Sequence, residues 1–152
     1  MQNRSLDLLK LTAIVFFLFL ETEIILVRVS PGKTIYYTSV KDGDTLELSH
    51  VNSIYEREVK EVLRVERGYI ELSEVITDSY GVKEYYLLDN FETKRGWKVI
   101  RLRNTEERNF SLKIKDRSVG IEKYADMSIE IEIRGAFFAY GLFLILCYIW
   151  VH

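Results

Sequence analysis

Between residues 24 and 134, apolar and polar side chains alternate with a period of two, and polar or glycine-containing breaks interrupt the runs every few residues. This pattern predicts short antiparallel strands rather than amphipathic helices. The clearest segment is Ser128 to Arg134, where Ile129, Ile131 and Ile133 alternate with Glu130, Glu132 and Arg134, as on a sheet with one buried and one solvated face. Further strands are expected at Ile24 to Val29, Thr34 to Val40, Thr45 to Asn52, Val59 to Glu66, Tyr69 to Thr77, Trp97 to Arg103 and Asn109 to Lys115. So many short strands predict a mainly β domain, an antiparallel sandwich or barrel-like structure. One hairpin can be set in register, because Arg67-Gly68 fits a two-residue turn. It predicts Val65 opposite Ile70, Leu63 opposite Leu72 and Val59 opposite Ile76, with Arg64 against Glu71 on the other face. Ser79-Tyr80-Gly81 reads as a turn.

The ends of the chain depart from this alternation. Leu11 to Leu20 is a charge-free apolar run preceded by Arg4 and Lys10, and no small-x-small cleavage site follows it. It is expected to stay as an uncleaved anchor. Ala136 to Val151 carries no charged residue, and as a helix it would extend about 24 Å, a short transmembrane span with Tyr140, Tyr148 and Trp150 available at the interfaces. The expected organisation is an anchor over 1–22, a β domain over 23–135 and a transmembrane helix over 136–152. The basic residues of the first segment favour an internal amino terminus, so two spans would leave both ends in the cytoplasm and the domain on the outer face of the cell membrane.

Composition narrows the function. The 152 residues are 48% apolar and 29% charged with a net charge of -2, which excludes disorder and offers no electrostatic footprint for nucleic acid. The single cysteine, Cys147, rules out an intrachain disulfide. Nucleotide-binding glycine loops, HExxH and nucleophile-elbow motifs are absent, and the two histidines, His50 and His152, have no evident nucleophile beside them. No enzymatic activity and no cofactor is expected.

The alternation also exposes an anomaly. Glu61 shares the apolar face of Val59, Leu63 and Val65, and Glu74 shares that of Ile70, Leu72 and Ile76, which would make the two carboxylates neighbours. On the preceding strand His50 and Asn52 follow Leu46 and Leu48 on one face, and a hairpin through Ser53 to Glu58 would set His50 opposite Glu61. A histidine, an amide and two carboxylates would then converge. Such a group can fix register near a sheet end, hold a polar ligand, or bind a divalent cation through imidazole and carboxylate oxygens, and the sequence leaves these alternatives open.

The stretch Asn52-Ser53-Ile54, then Val59, Glu61, Leu63, Gly68, Ile70, Leu72 and Glu74, ending in Ser79-Tyr80-Gly81, resembles a family catalogued as domain of unknown function 1850, over about residues 24–134. Members typically carry His-Ser-Val where this chain has Asn52-Ser53-Ile54, followed by a valine and a glutamate, a glycine-containing hairpin and a leucine-x-glutamate step. Asn52 stands in the family's histidine position, and the usual Gly-x-Gly is reduced to Gly81. The resemblance implies an accessory component of a tripartite TRAP-type solute transporter, with a TRAP-type permease or a TAXI-type solute-binding protein as partner. It directs attention to His50, Asn52, Ser53, Glu61, Glu74 and Gly81 as ligand- or partner-binding candidates. The alternative is an independent cell-surface module that senses a small ligand or cation.

Overall fold

The computed structural model describes residues 21–88 and 96–137. The apolar run of 11–20 and all but the first two residues of the expected C-terminal span lie outside the described residues. Among the described residues no helix is long and apolar enough to cross a membrane.

Two antiparallel sheets form the domain. The first comprises β1 (Glu21–Val29), β2 (Lys33–Val40), β6 (Val99–Arg103) and β9 (Ser128–Phe137) in the order β2-β1-β9-β6. The second comprises β3 (Thr45–Asn52), β4 (Arg57–Glu66), β5 (Tyr69–Ile76), β7 (Ser111–Ile114) and β8 (Arg117–Val119) in the order β5-β4-β3-β7-β8. The expected strands are all present with modest changes at their ends, and β8 is an additional one. Alternation places Ile25, Val27, Val29, Ile129, Ile131 and Ile133 of the first sheet against Leu46, Leu48, Leu63, Val65, Leu112 and Ile114 of the second in one apolar core. β1 departs from strict alternation, because Ile24 and Leu26, on its outer side, are buried as well. On that outer face Arg28 bridges Glu130 at 2.9 Å and Glu132 at 2.6 Å, and Arg101 reaches Glu130 at 2.8 Å. The Arg101 hydrogen bond, with help from Arg28, holds the Glu130 carboxyl below the ordinary carboxylate value.

One side of the sandwich is stitched shut. Ile70 and Trp97 exchange backbone hydrogen bonds of 2.9 and 2.8 Å, and Ile133 N donates to Lys98 O at 2.9 Å, so the chain at 97–98 joins the edge strand β5 to β9. The result lies between the two architectures expected: two sheets, closed like a barrel along one seam.

The β4–β5 hairpin turns at Arg67 and Gly68, both at positive φ (51° and 73°), as a two-residue turn requires. Asp42 accepts the Arg67 amide at 2.8 Å and ties this turn to the β2–β3 connection. Val65 pairs with Ile70, Leu63 with Leu72 and Arg64 with Glu71, as the sequence predicts. The expectation of Val59 opposite Ile76 is corrected: an irregularity between Val62 and Leu63 places Ile76 opposite Lys60. The extra residue is Ser73, since Val62 pairs with Glu74 while Leu63 pairs with Leu72. Beyond such a bulge the inward and outward sides exchange.

Two ends of the domain can be distinguished. At one, β1 begins and β9 finishes, paired from Glu21 with Phe137 and from Thr22 with Ala136. At the other, Arg103 pairs with Ser128 and the following loop reaches the second sheet, where Val51 N donates to Arg108 O at 2.8 Å. This second end carries the β3–β4 loop and a helix, α1 (Tyr80–Leu88). The reading of Ser79-Tyr80-Gly81 as a simple turn is therefore corrected: it is the entry to a helix.

Candidate functional site

Helix α1 forms where strand β5 ends because its first turn is capped. Thr77 Oγ1 donates to Glu58 O at 2.9 Å and accepts the Ser79 amide at 3.3 Å, pinning the entry to β4. Ser79 Oγ then accepts the Val82 amide at 3.3 Å, the role of an N-cap residue. Val82 and Tyr86, four residues apart and thus on one helix face, turn toward the sheet. Val82 is fully buried, and the Tyr86 hydroxyl donates to Glu61 Oε1. Burial, that hydrogen bond and the Glu61 charge together push the Tyr86 phenol well above its ordinary pKa, so it remains a donor.

Gly81 lies on the adjacent helix face, where Tyr55 of the β3–β4 loop packs. A Cβ at Gly81 would stand 2.8 Å from the Tyr55 ring, so only glycine admits this close approach of ring to helix. The loop bearing Tyr55 is shaped by Asn52, whose Oδ1 accepts the amides of Ile54 at 3.0 Å and Tyr55 at 3.1 Å, while its carbonyl accepts that of Glu56 at 2.8 Å. The side-chain oxygen of Asn52 is thus engaged in folding the loop. Ser53 lies exposed in the same turn.

The hairpin register changes the expected cluster. Asn52 pairs with Arg57, so the loop is shorter than the expected Ser53 to Glu58; His50 faces Val59 and Glu61 faces Leu48. His50 and Glu61 are diagonal rather than direct neighbours, on one sheet face and close enough that the Glu61 charge acts on the imidazole. The His50 ring stacks on Phe110 with centroids 5.0 Å apart, and its Nδ1 is buried without a hydrogen bond among the described residues. Burial lowers the His50 pKa below 6.5, Arg108 adds to this and Glu61 opposes it. Glu74 is not part of the group. The Ser73 bulge turns it to the exposed outer side, and Glu61 pairs with Val75 instead.

The structure therefore brings together His50 and Glu61, sets Gly81 against Tyr55 of the loop that carries Asn52 and Ser53, and excludes Glu74. It adds Tyr86, Phe110 and Arg108 to the group. The spacing of Val82 and Tyr86 behind Ser79 is the signal that could have identified the helix. No family model, curated protein or solved structure matches this chain.

The hydrogen bond from Tyr86 to Glu61 pins the helix to the sheet. No cluster of three or more His, Cys, Asp or Glu side chains among the described residues could hold a metal ion. Glu61 is engaged by Tyr86, and the His50 ring stacks on Phe110. A shallow open groove lined by Glu66, Arg67, Tyr69, Glu71 and Gly96 lies at the opposite end of the strands, at the β4–β5 turn. The helix and the β3–β4 loop instead raise large apolar side chains into solvent, and the polar contacts beneath hold them in place.

Proposed function

We propose that the chain is a membrane-tethered β domain that serves as an accessory component of a TRAP-type solute transporter, displaying its helix-bearing end away from the membrane. The observation that carries the tethering is the pairing of β1 with β9 up to their ends, Glu21 with Phe137 and Thr22 with Ala136, where the Thr22 hydroxyl donates to Ala136 O at 3.2 Å. Adjacent strands lie about 4.8 Å apart. The apolar run of 11–20 thus joins the domain beside the start of the run that continues from Phe137, and two spans leaving side by side would bring both chain ends to one side of the bilayer. The transporter association rests on the resemblance to domain of unknown function 1850. A sensor of small ligands is less well supported, since Asn52 and Glu61 are engaged within the domain and Glu74 points elsewhere.

Purification of the tagged chain from its native membrane in a gentle detergent, followed by mass spectrometry, tests the accessory role. A TRAP-type permease or a TAXI-type binding protein is expected in stoichiometric amount after stringent washing. Recovery of the chain alone would contradict that role.

A further inference from the structure

The end of the domain opposite Glu21 and Phe137 combines apolar exposure with a charge bias. Ile54 is 80% exposed, Tyr80 79%, Tyr85 59% and Tyr55 46%. They belong together: Tyr55 rests on the helix at Gly81, Tyr80 and Tyr85 flank that glycine on the same helix, and Ile54 precedes Tyr55 in the loop. Scattered exposed apolar residues are ordinary, but a contiguous set on a pinned scaffold marks an interaction surface, and tyrosine is a residue type enriched at protein interfaces. The pinning matters here because ordered side chains lose less entropy on binding. Asn52 fixes the loop, Ser79 and Thr77 fix the helix entry, and Tyr86 on Glu61 fixes its second turn.

The rim of this surface is acidic. Glu56, Glu58 and Glu84 are exposed around the loop and helix, and Glu106 and Glu107 are exposed on the loop that hydrogen-bonds Val51. The basic residues exposed nearby are fewer: Arg57, which lies 3.8 Å from Asp78, Lys83, Arg103 at the start of the loop of Glu106 and Glu107, and Arg108 on that loop. This asymmetry discriminates among occupants. An anionic lipid surface would be repelled by the rim, and a second copy would oppose one acidic rim with another. A protein with an apolar centre and a rim of lysine or arginine fits both features.

We propose that the surface formed by Ile54, Tyr55, Tyr80 and Tyr85 docks a protein partner whose contact patch is apolar at its centre and basic at its edge. This deepens the accessory reading by naming the surface and the chemistry of the partner, and it rests on that reading only for the partner's being a transporter component.

The test is photo-crosslinking in the native membrane, with a benzophenone amino acid replacing Tyr80 in the full chain and, as a control, Asp116 in the β7–β8 turn at the other end. Tyr80 is expected to give one discrete heterologous adduct that the Asp116 position does not. The combined Glu56→Lys and Glu84→Lys changes are expected to reduce its yield about tenfold, and the adduct peptide should lie among lysines or arginines of the partner. Both glutamates are exposed, so unchanged thermal unfolding of the charge-reversed chain would check that the fold is retained. An adduct of the chain with itself, an adduct to lipid, an adduct indifferent to charge reversal, or no adduct would each overturn the proposal. A charge-sensitive adduct with a basic protein that is not a transporter component would sustain the docking surface and remove the transporter role, so the two failures are distinguishable.

Discussion

Replacing Asn104 with alanine is expected to cost the domain about 2–4 kcal/mol, which makes it one of the most damaging single polar changes available in the fold. Asn104 is 3% exposed. Its Nδ2 donates to Ile121 O at 2.9 Å and to Tyr124 O at 3.1 Å, and its backbone amide donates to Met127 O at 3.0 Å. One side chain therefore holds the 3-10 turn Ile121–Tyr124 against the end of β6 and sets the path by which the chain enters β9. Alanine would remove the side-chain donor from both carbonyl oxygens, leave Tyr124 O only the Met127 amide at 3.3 Å, and open space beside fully buried Ile121. Denaturant unfolding of the detergent-solubilised full chain, parent against Asn104→Ala, measures the effect; a loss below about 0.5 kcal/mol would mean that the turn stands without this anchor.

The second expected effect concerns the helix. Tyr86→Phe removes the donor to the half-buried Glu61 carboxylate while keeping the ring, and it is expected to destabilise by about 1–3 kcal/mol, the range for hydrogen bonds to charged groups. Hydrogen exchange should show the loss concentrated in 80–88 rather than spread over β1 and β9, because the two sheets pack independently of this contact. A pH series separates Tyr86 from its neighbour His50. Since the folded pKa of His50 lies below 6.5, the unfolded chain takes up the proton first as the pH falls through about 6.5, and folding stability decreases there. Asp44 and Glu130, whose folded values are lowered, lose their stabilising effect only further into the acid range, below 3.8 and 4.5 respectively. His50→Phe, which can still stack on Phe110, should remove the decline just below pH 6.5, whereas Tyr86→Phe should retain it. An unchanged profile in His50→Phe would show that the imidazole is not desolvated as described.

The sandwich was legible in the sequence because burial on one side leaves a period-two record. Ile129, Ile131 and Ile133 carry it, and so do Leu46 and Leu48. The turn at Arg67-Gly68 was legible for a local reason, since glycine supplies the positive φ a two-residue hairpin needs. What failed was what a single inserted residue controls. Ser73 carries no mark of a bulge, yet it turns Glu74 out of the site and gives Glu61 a different neighbour. The His50 register slipped by two positions for a related reason: Asn52 closes the β3–β4 loop early by capping its own turn, and the hairpin becomes shorter than the polar stretch suggests. Helix α1 was missed because it is short and its Tyr80-Gly81 start resembles a turn, although Ser79, Val82 and Tyr86 carry its cap and inward face. Asn104 left no trace, since its role depends on carbonyl groups that only the folded chain brings to it.

Membrane tethering with the helix-bearing end outward is tested most directly by cysteine accessibility in intact cells. Cys147 is the sole cysteine, so Cys147→Ser gives a background into which Ile54→Cys places one thiol on the exposed β3–β4 loop. Reaction of Ile54→Cys with a membrane-impermeant maleimide in intact cells, with the chain retained in the membrane fraction after carbonate washing, is the result predicted. Labelling only after lysis, or release of the chain by carbonate, would contradict it.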